Sequence, residues 1–258
     1  MLAILCSGTA RGAAPVYSAD SIVNASNYSA GPFAPNSVIS IFGTGMARST
    51  YALAGSDLVA CDRSPGLCLP MELNYVRVYV QDQPSPMLFV SANQINFVMP
   101  SIQVPGPVRV RVVVESNTGP EITVTLLDAA PALFPNPYAA GYAIATAADG
   151  KLLTADNPAH AYDTVVVYVT GLGATSPATL LAVIPNGQAQ MAALASLKVA
   201  LNGTTLDPAR IKYAGVTPGS AGLYQINIVL PDGAGSDPEF LVSVGNLPAQ
   251  TGLKLALR

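Results

Sequence analysis

The sequence predicts an all-β protein built from two tandem immunoglobulin-like β-sandwich domains that arose by internal duplication. The first observation is length, because 258 residues exceed one ordinary sandwich and fit two domains of roughly 100 to 130 residues. The second is composition, because 22 glycines and 22 prolines with only 10% charged residues are typical of short strands joined by many turns. The third is that the same motifs recur in the same order in both halves.

Three pairs of motifs indicate the duplication. Each half contains a β-branched strand that ends in Gly-x-Gly, a strand with apolar residues at alternate positions, and a Gln-Ile-Asn strand that ends in proline. A period of two is the pattern of a half-buried strand. The pairs are Val38 to Gly45 with Val165 to Gly173, Tyr75 to Val80 with Leu197 to Leu201, and Gln94 to Pro100 with Gln225 to Pro231.

Further strands are predicted at the end of each half, at 108–114 and 122–126 in the first and at 240–244 and 253–257 in the second. The dipeptide Asn202-Gly203 predicts a two-residue hairpin turn, because it accepts positive φ angles, and its partner strand is expected at 204–206. A weak helical pattern occurs near residues 189–197.

Proline divides the chain. Three prolines at 131, 135 and 137 favour an extended path. We therefore expect a first domain at 15–128, a proline-rich linker at 129–137 and a second domain at 138–258. Residues 1–14 have a short apolar core and a small-residue end, which we interpret as the remnant of a secretion signal; an ordinary N-terminal segment is the alternative.

Charge makes several partners unfavourable. The net charge is −3 and the 12 Lys and Arg residues are scattered, so the sequence offers no basic field for nucleic acid. No apolar run approaches the roughly 20 residues that a membrane helix needs, so membrane insertion is not expected. No cofactor motif is evident, and the cysteines lack the His or Cys clusters of a metal site.

Two cysteines bracket a short turn. Cys61 and Cys68 flank a segment with Pro65-Gly66, which reverses the chain and brings the thiols together. We expect a disulfide, and hence an extracellular or cell-surface location, because disulfides persist in oxidising compartments. Two reduced surface thiols are the alternative.

A set of ordered motifs runs from about Ser21 onward. The motifs are Val23-Asn-Ala-Ser-Asn-Tyr, Ala34-Pro-Asn-Ser-Val-Ile-Ser-Ile-Phe-Gly, Gln94-Ile-Asn, Ala130-Pro-Ala-Leu-Phe, Asn157-Pro-Ala, Tyr168-Val-Thr-Gly-Leu-Gly and Gly222-Leu-Tyr-Gln-Ile-Asn. Together they resemble the repeated C-terminal domain of acidobacterial secreted proteins of the Solibacter type. The resemblance implies an exported module with no established catalytic residues. The chain departs from the family at His160-Ala-Tyr-Asp163 and in the loop between the two cysteines.

Catalytic alternatives depend on a few titratable residues. His160 is the single histidine, so every histidine-based hydrolase mechanism must use it, with Asp163 close enough in sequence to orient it. No Gly-x-Ser-x-Gly motif presents a nucleophile. A carboxylate pair for glycoside cleavage could come from Asp149, Asp156 and Asp163 or from Glu72 and Asp82, and the first three could also bind calcium. Turn-capping is the ordinary role of such aspartates.

Tyrosines favour a carbohydrate-binding alternative. The chain has 11 Tyr and no Trp, and exposed aromatic rings stack on sugars. Tyr138, Tyr142 and Tyr162 are the candidates for glycan stacking, with buried packing of the rings as the alternative.

Arginines alternate with valines at Arg77, Arg109 and Arg111, which indicates a solvated sheet face.

The leading hypothesis is a non-enzymatic exported structural or adhesive module, whose partners are other copies of itself or other surface proteins. Sandwiches have free strand edges, and an extended segment from a neighbour can complete a sheet. The candidate donor is the strand-like segment at residues 16–28. Its candidate assembly residues are Val16, Tyr17, Ile22, Val23 and Tyr28. The alternative is that this segment is the first strand of its own domain.

Overall fold

A computed structural model describes residues 13–62 and 64–258 and confirms the predicted all-β fold. The secretion-signal prediction falls largely on residues 1–12, which lie outside the described residues. In the described part, helical structure is limited to four single 3₁₀ turns, at Ala19–Ser21, Gly55–Asp57, Leu194–Ser196 and Pro208–Arg210. Within the same residues, no helix has the length and apolar character needed to cross a membrane.

The first half contains eleven strands arranged as a sandwich. They are β1 (Ile22–Asn24), β2 (Val38–Phe42), β3 (Tyr51–Ala52), β4 (Val59–Ala60), β5 (Leu67–Cys68), β6 (Val76–Val80), β7 (Gln83–Pro84), β8 (Met87–Val90), β9 (Gln94–Val98), β10 (Gly106–Val114) and β11 (Asn117–Leu126). One sheet has the order β1-β2-β9-β8-β3 and the other the order β11-β10-β6-β7, while β4 and β5 form a separate hairpin.

The second half repeats this plan. Its strands are β12 (Ala132–Leu133), β13 (Ala145–Ala147), β14 (Thr164–Thr170), β15 (Thr175–Ser176), β16 (Ala189–Met191), β17 (Leu197–Leu201), β18 (Thr204–Thr205), β19 (Ile211–Val216), β20 (Tyr224–Val229), β21 (Phe240–Val244) and β22 (Leu247–Pro248). One sheet runs β12-β14-β20-β19-β16-β15 with β13 also paired to β14, and the other runs β18-β17-β21-β22.

Alternating side chains produce the two cores. On β6 the valines 76, 78 and 80 are buried while Arg77 and Tyr79 face outward, as the period of two predicts. Each sandwich has its own cluster of buried apolar residues. The repeated Gln-Ile-Asn strands occupy equivalent central positions. In both, the Gln amide donates to the Asn two residues later, Gln94 to Asn96 and Gln225 to Asn227, each at 2.9 Å.

Several local expectations differ from the structure. Residues 189–197 form β16 and a 3₁₀ turn before β17 instead of a helix, because pairing of β16 with β15 and β19 outweighs local propensity. Residues 253–257 make isolated bridges in place of a strand. The proline-rich segment 129–137 is packed, since its Ala132 and Leu133 form β12 in the second sandwich. By contrast, the hairpin turn predicted at Asn202-Gly203 is confirmed, with φ angles of 49° and 80°.

Candidate functional site

The N-terminal segment at residues 13–24 lies in a slot between the two sheets of the first domain. On one side, Val16 and Thr44 exchange backbone hydrogen bonds of 2.9 and 3.0 Å, and β1 pairs antiparallel with β2 through Ile22–Ile41 and Val23–Ser40. Ile22 and Val23 are buried. The structure thus places the candidate donor strand within its own domain, which is the alternative stated above.

Tyr17 anchors the same segment to the other sheet. The pairing of β10 with β11 shifts register between Arg111 and Val113, which leaves a β-bulge with an unpaired backbone N–H. The Tyr17 hydroxyl accepts a hydrogen bond of 2.8 Å from Val112 N and donates to Pro120 O. Burial raises the pKa of Tyr17 above its ordinary value, opposed by the Val112 hydrogen bond. The Tyr17 hydroxyl, which lies outside the sheet, therefore provides the hydrogen-bond acceptor for the backbone N–H of Val112 in the bulge.

Two glycines give the slot its shape. A Cβ atom on Gly43 would overlap the carbonyl oxygen of Val16, and one on Gly119 would lie 2.8 Å from a ring carbon of Tyr17. Any side chain at either position would push the segment out. Gly43 is the first glycine of the repeated Gly-x-Gly motif, so its role here is close packing against the entering chain.

Tyr28 stands apart from the other four assembly residues. It follows β1, has a φ of 57°, and is 60% exposed, with its ring 6.0 Å from that of Phe42. Residues 25–32 connect the slot segment to the rest of the domain. Tyr28 therefore lies in the connection that would have to open if the segment left its slot.

The two domains meet through a polar clamp. Asn36 Nδ2 donates to Thr179 Oγ1 at 3.1 Å. Val38 N donates at 3.1 Å to Thr170 Oγ1, whose hydroxyl donates at 3.0 Å to Gly222 O. Thr170 thus bridges a strand of each domain, and the backbone groups at the junction find partners away from water.

A second contact, which we name the clasp, lies in the loops after the Gly-x-Gly motifs. Cys61 and Cys68 form a disulfide that closes the β4–β5 hairpin. Leu69 N donates to Ala182 O and Ile184 N donates to Leu67 O, both at 2.9 Å. Leu69 and Ala182 are buried together with Val98. The hairpin thus pairs with a loop of the second domain.

An aromatic and charged row crosses the outer face of the β11-β10-β6-β7 sheet. Register places Glu121 beside Arg111 and Arg111 beside Tyr79. The Arg111 guanidinium lies over the Tyr79 ring, 5.3 Å from its centroid, and Arg109 Nε donates to Gln81 Oε1 at 2.9 Å. Sequence patterning indicated the arginine face but not this stacking, because the two residues lie on strands far apart in sequence.

The structure separates the three candidate glycan tyrosines by exposure. Tyr138 is 89% exposed and Tyr162 is 65% exposed. Tyr142 packs against the second core, and a hydrogen bond to Asp237 raises the pKa of its hydroxyl. Tyr138 and Tyr162 thus present free rings, whereas Tyr142 is engaged at one edge.

The candidate catalytic residues have structural partners. His160 is exposed, and Asp163 Oδ2 accepts a 2.9 Å hydrogen bond from His160 N, with Nδ1 at 3.7 Å from the same oxygen. This is the geometry of a turn cap. A hydrogen bond from Lys151 lowers the pKa of Asp149.

The other proposed carboxylate pair faces cations. Glu72 lies 2.5 Å from Arg77, and Asp82 lies 3.7 Å from Arg109. Among residues 13–62 and 64–258, no group of three or more His, Cys, Asp or Glu side chains is placed to hold a metal ion. The expectations that the chain has no metal and no cofactor stay predictions.

The solved structures that match this chain have low sequence identity to it and low TM-scores. The surface glycan-binding protein SGBP-B of the Bacteroides ovatus mixed-linkage glucan utilization locus is 9% identical (TM-score 0.31), with 80% of this chain and 45% of that chain covered. Surface glycan-binding protein PbSGBP-B of Prevotella bryantii is 11% identical (TM-score 0.27; 92% and 41%). Domains 5–6 of the S-layer protein SbsC are 9% identical (TM-score 0.26; 94% and 98%). The chain spans less than half of each glycan-binding protein, and these scores support no functional conclusion.

Sequence comparison is informative for the first half. No curated protein matches the chain, and none of these matches connects it with acidobacteria, so that resemblance stays an expectation. The IPT/TIG domain model matches residues 21–126, the region that contains β1 to β11. Residues 21–126 therefore form an IPT/TIG domain, an immunoglobulin-like sandwich of the class predicted for both halves.

Proposed function

We propose that this protein is a non-enzymatic, exported structural and adhesive module at the cell surface, which assembles with other copies by exchanging the segment at residues 13–24. The observation that supports the proposal best is the slot of the first domain. Its occupant reaches it as a separate extended segment and contacts both sheets. The disulfide supports export, because such bonds persist outside the cytosol.

Each contact of the slot can be made by a neighbouring copy. The bonds between Val16 and Thr44, the Tyr17 hydroxyl in the bulge and the β1–β2 pairing depend on residues 13–24 and not on their connection to the chain. Exchange of identical elements is an established route to oligomers, and a head-to-tail exchange that does not close gives a filament. The exchange requires the connection at residues 25–32 to open, which breaks the bonds from Ala25 N to Val38 O and from Ser26 Oγ to Leu133 O.

The protein concentration determines whether the segment at residues 13–24 occupies its own slot (the closed form) or the slot of a neighbouring copy (the exchanged form). A segment tethered to its own domain competes at an effective concentration in the millimolar range. We therefore expect monomers in dilute solution and exchanged assemblies after refolding at high concentration or in a crowded surface layer.

Cross-linking tests the proposal directly. In a Cys6→Ser background, one chain with Val16→Cys is co-refolded at high concentration with another chain with Thr44→Cys. Exchange places the two new thiols together and produces covalent heterodimers. A single chain with both substitutions is the control, because it shows that the pair can form a disulfide. A control that cross-links within the monomer, together with a mixture that forms no heterodimer, would contradict exchange.

Polysaccharide binding is the second candidate function, and the Tyr79–Arg111 row favours it. A ring flanked by guanidinium, carboxylate and amide groups offers both stacking and hydrogen bonds to sugar hydroxyls. Affinity electrophoresis against a panel of neutral and acidic polysaccharides tests it, with Tyr79→Ala, Tyr138→Ala and Tyr162→Ala as variants. Retardation that Tyr79→Ala removes supports the sheet face, and retardation that only the other two remove favours the exposed tyrosines. A panel with no retardation rejects glycan binding.

A further inference from the structure

We infer that the Cys61–Cys68 disulfide is a redox-sensitive clasp between the domains, whose reduction releases the β4–β5 hairpin from the second domain while both sandwiches stay folded. This inference goes beyond the proposed assembly function and does not depend on it. It rests on the position of the disulfide, which closes a hairpin outside both sandwich sheets.

The pairing within the β4–β5 hairpin is short. Its pairing consists of Val59 with Cys68 and Ala60 with Leu67, extended by one bond of 3.2 Å from Cys61 N to Gly66 O. Val59, Ala60 and Leu67 are exposed. A two-stranded hairpin is only marginally stable in water, and its buried contacts, through Leu69 and the half-buried Leu58 and Cys68, are with the junction cluster that contains Val98 and Ala182. The disulfide therefore keeps β5 extended and available for this pairing.

The outer edge of β5 is the part that reaches the second domain. In an antiparallel hairpin the backbone groups of successive residues point to alternate sides. The groups of Cys68 face β4, so those of Leu67 and Leu69 face outward, where they bond Ile184 N and Ala182 O at 2.9 Å. Loss of the hairpin geometry therefore removes both interdomain bonds together.

The polar clamp is independent of the disulfide. Val38, Thr170 and Gly222 belong to the sandwiches or their direct edges, and Gly222 packs tightly, since a Cβ there would lie 2.8 Å from a methyl of Val38. The interface thus includes a contact built on core strands, a buried bond of 3.0 Å from Ser26 Oγ to Leu133 O, and a contact built on a covalently closed loop. Reduction releases the contact of the loop and leaves the other two as a pivot.

The chemistry needs a dithiol reductant from outside the protein. One reductant thiolate attacks a cysteine sulfur, the Cys61–Cys68 bond breaks, and the second reductant thiolate completes the exchange. Cys61 and Cys68 gain two electrons and two protons as thiols, and the reductant becomes a disulfide. Access is available, because both cysteines line an open groove of about 520 Å³ beside the domain junction.

Amide hydrogen exchange tests the clasp. In a Cys6→Ser background we compare the oxidised protein with the same protein after dithiothreitol and with Cys61→Ser/Cys68→Ser. Removing the constraint on an eight-residue loop gives the open hairpin an advantage on the order of 50-fold. The amides of Leu69 and Ile184 should therefore exchange about 50-fold faster, while those of Val38 and Val167 change less than threefold.

Two outcomes would overturn the inference. Unchanged protection of Leu69 and Ile184 would show that the disulfide does not maintain the contact. Equal acceleration throughout the first domain would show that the bond stabilises that sandwich and not the junction. Dithiothreitol should have no effect on the Cys61→Ser/Cys68→Ser variant, and reduction of folded protein provides the same test if that variant does not fold.

Discussion

In each domain, the segment that leads into the sandwich packs on the first glycine of the Gly-x-Gly motif. The two segments differ in the contacts that they make beyond this glycine. Gly43 packs on Val16 in the first domain, and Gly171 packs on Ala130 in the second, each so closely that a Cβ would overlap a carbonyl oxygen. Beyond this contact the first segment is held by the Tyr17 hydroxyl in the bulge and by Ile22 of β1, which is fully buried in the first core. The second continues into β12, with Leu133 fully buried. Equivalent glycines thus hold one segment whose anchor includes a tyrosine hydroxyl and one that continues directly into a core strand.

The glycines give the largest expected difference. Gly171→Ala would force Ala130 away at a φ of 76°, and because the connector is part of the core we expect a loss of more than about 3 kcal/mol of unfolding free energy. Gly43→Ala should cost less, about 1–2 kcal/mol, because Gly43 does not have the left-handed φ of Gly171 and only the overlap with the backbone of Val16 has to be relieved. Urea denaturation followed by circular dichroism measures both. Gly55→Ala, with open space around it, is the control, and equal losses at the two seats would break the comparison.

The apolar residues of the two segments should differ next. Leu133→Ala removes a fully buried side chain and should cost about 2–4 kcal/mol through lost burial and the cavity left behind. Val16→Ala changes a side chain that is 62% exposed and should stay within about 0.5 kcal/mol. The same denaturation measurement applies, and a large effect at Val16 would show that its side chain adds to the apolar packing that the buried Ile22 already provides.

Tyr17→Phe tests the polar anchor itself. The substitution keeps the ring and leaves the N–H of Val112 without its partner, so we expect a loss of about 1–3 kcal/mol. Tyr28→Phe, in the adjoining connection at residues 25–32, is the control, because Tyr28 is exposed, and it should be neutral. A neutral Tyr17→Phe would mean that water replaces the hydroxyl in the bulge.

Alkaline pH should act on the same anchor. Burial raises the pKa of Tyr17, so the fold favours the neutral phenol. Its contribution is fully present below the unfolded pKa of about 10 and is lost as pH rises through the higher folded pKa. The stability difference between wild type and Tyr17→Phe should therefore narrow above pH about 10. A difference that stays constant to higher pH would show that the hydroxyl does not titrate in this way.

The smallest effect is expected at the single histidine. His160 and Asp163 form an exposed turn cap, so His160→Ala should change stability by less than about 0.5 kcal/mol. On the non-enzymatic proposal, it should also leave unchanged any hydrolysis in a broad panel of ester and glycoside substrates. A hydrolytic activity that disappears in this variant would restore the hydrolase alternative.

Local sequence patterns identify the central strands of each sheet but not the contacts between distant segments. The alternation in Tyr75 to Val80 and the paired Gln-Ile-Asn motifs identify half-buried and central strands, because burial repeats every second residue. The helical prediction for residues 189–197 is wrong, because the partners that make β16 a strand lie at 175–176 and 215–216 in the folded sheet.

The functional features are the ones that depend on distant partners. Tyr17 meets Val112 across 95 positions, and the clasp joins Leu69 to Ala182. The cysteine spacing predicts the hairpin but contains no signal for the loop that it contacts. The aspartates were ambiguous in sequence because turn caps and ion pairs use the same residue as catalytic sites do, and only their neighbours distinguish these roles.

The connector between the domains has a mechanical consequence. Leu127 N is bonded to Phe33 O in the first domain, and Ala129 is already buried in the second core, so only Asp128 lies between the two sandwiches. A pulling force along the chain would meet no flexible linker that could extend between the two sandwiches. It would load the β12–β14 pairing at once, and the module would transmit tension as a stiff link instead of a flexible tether.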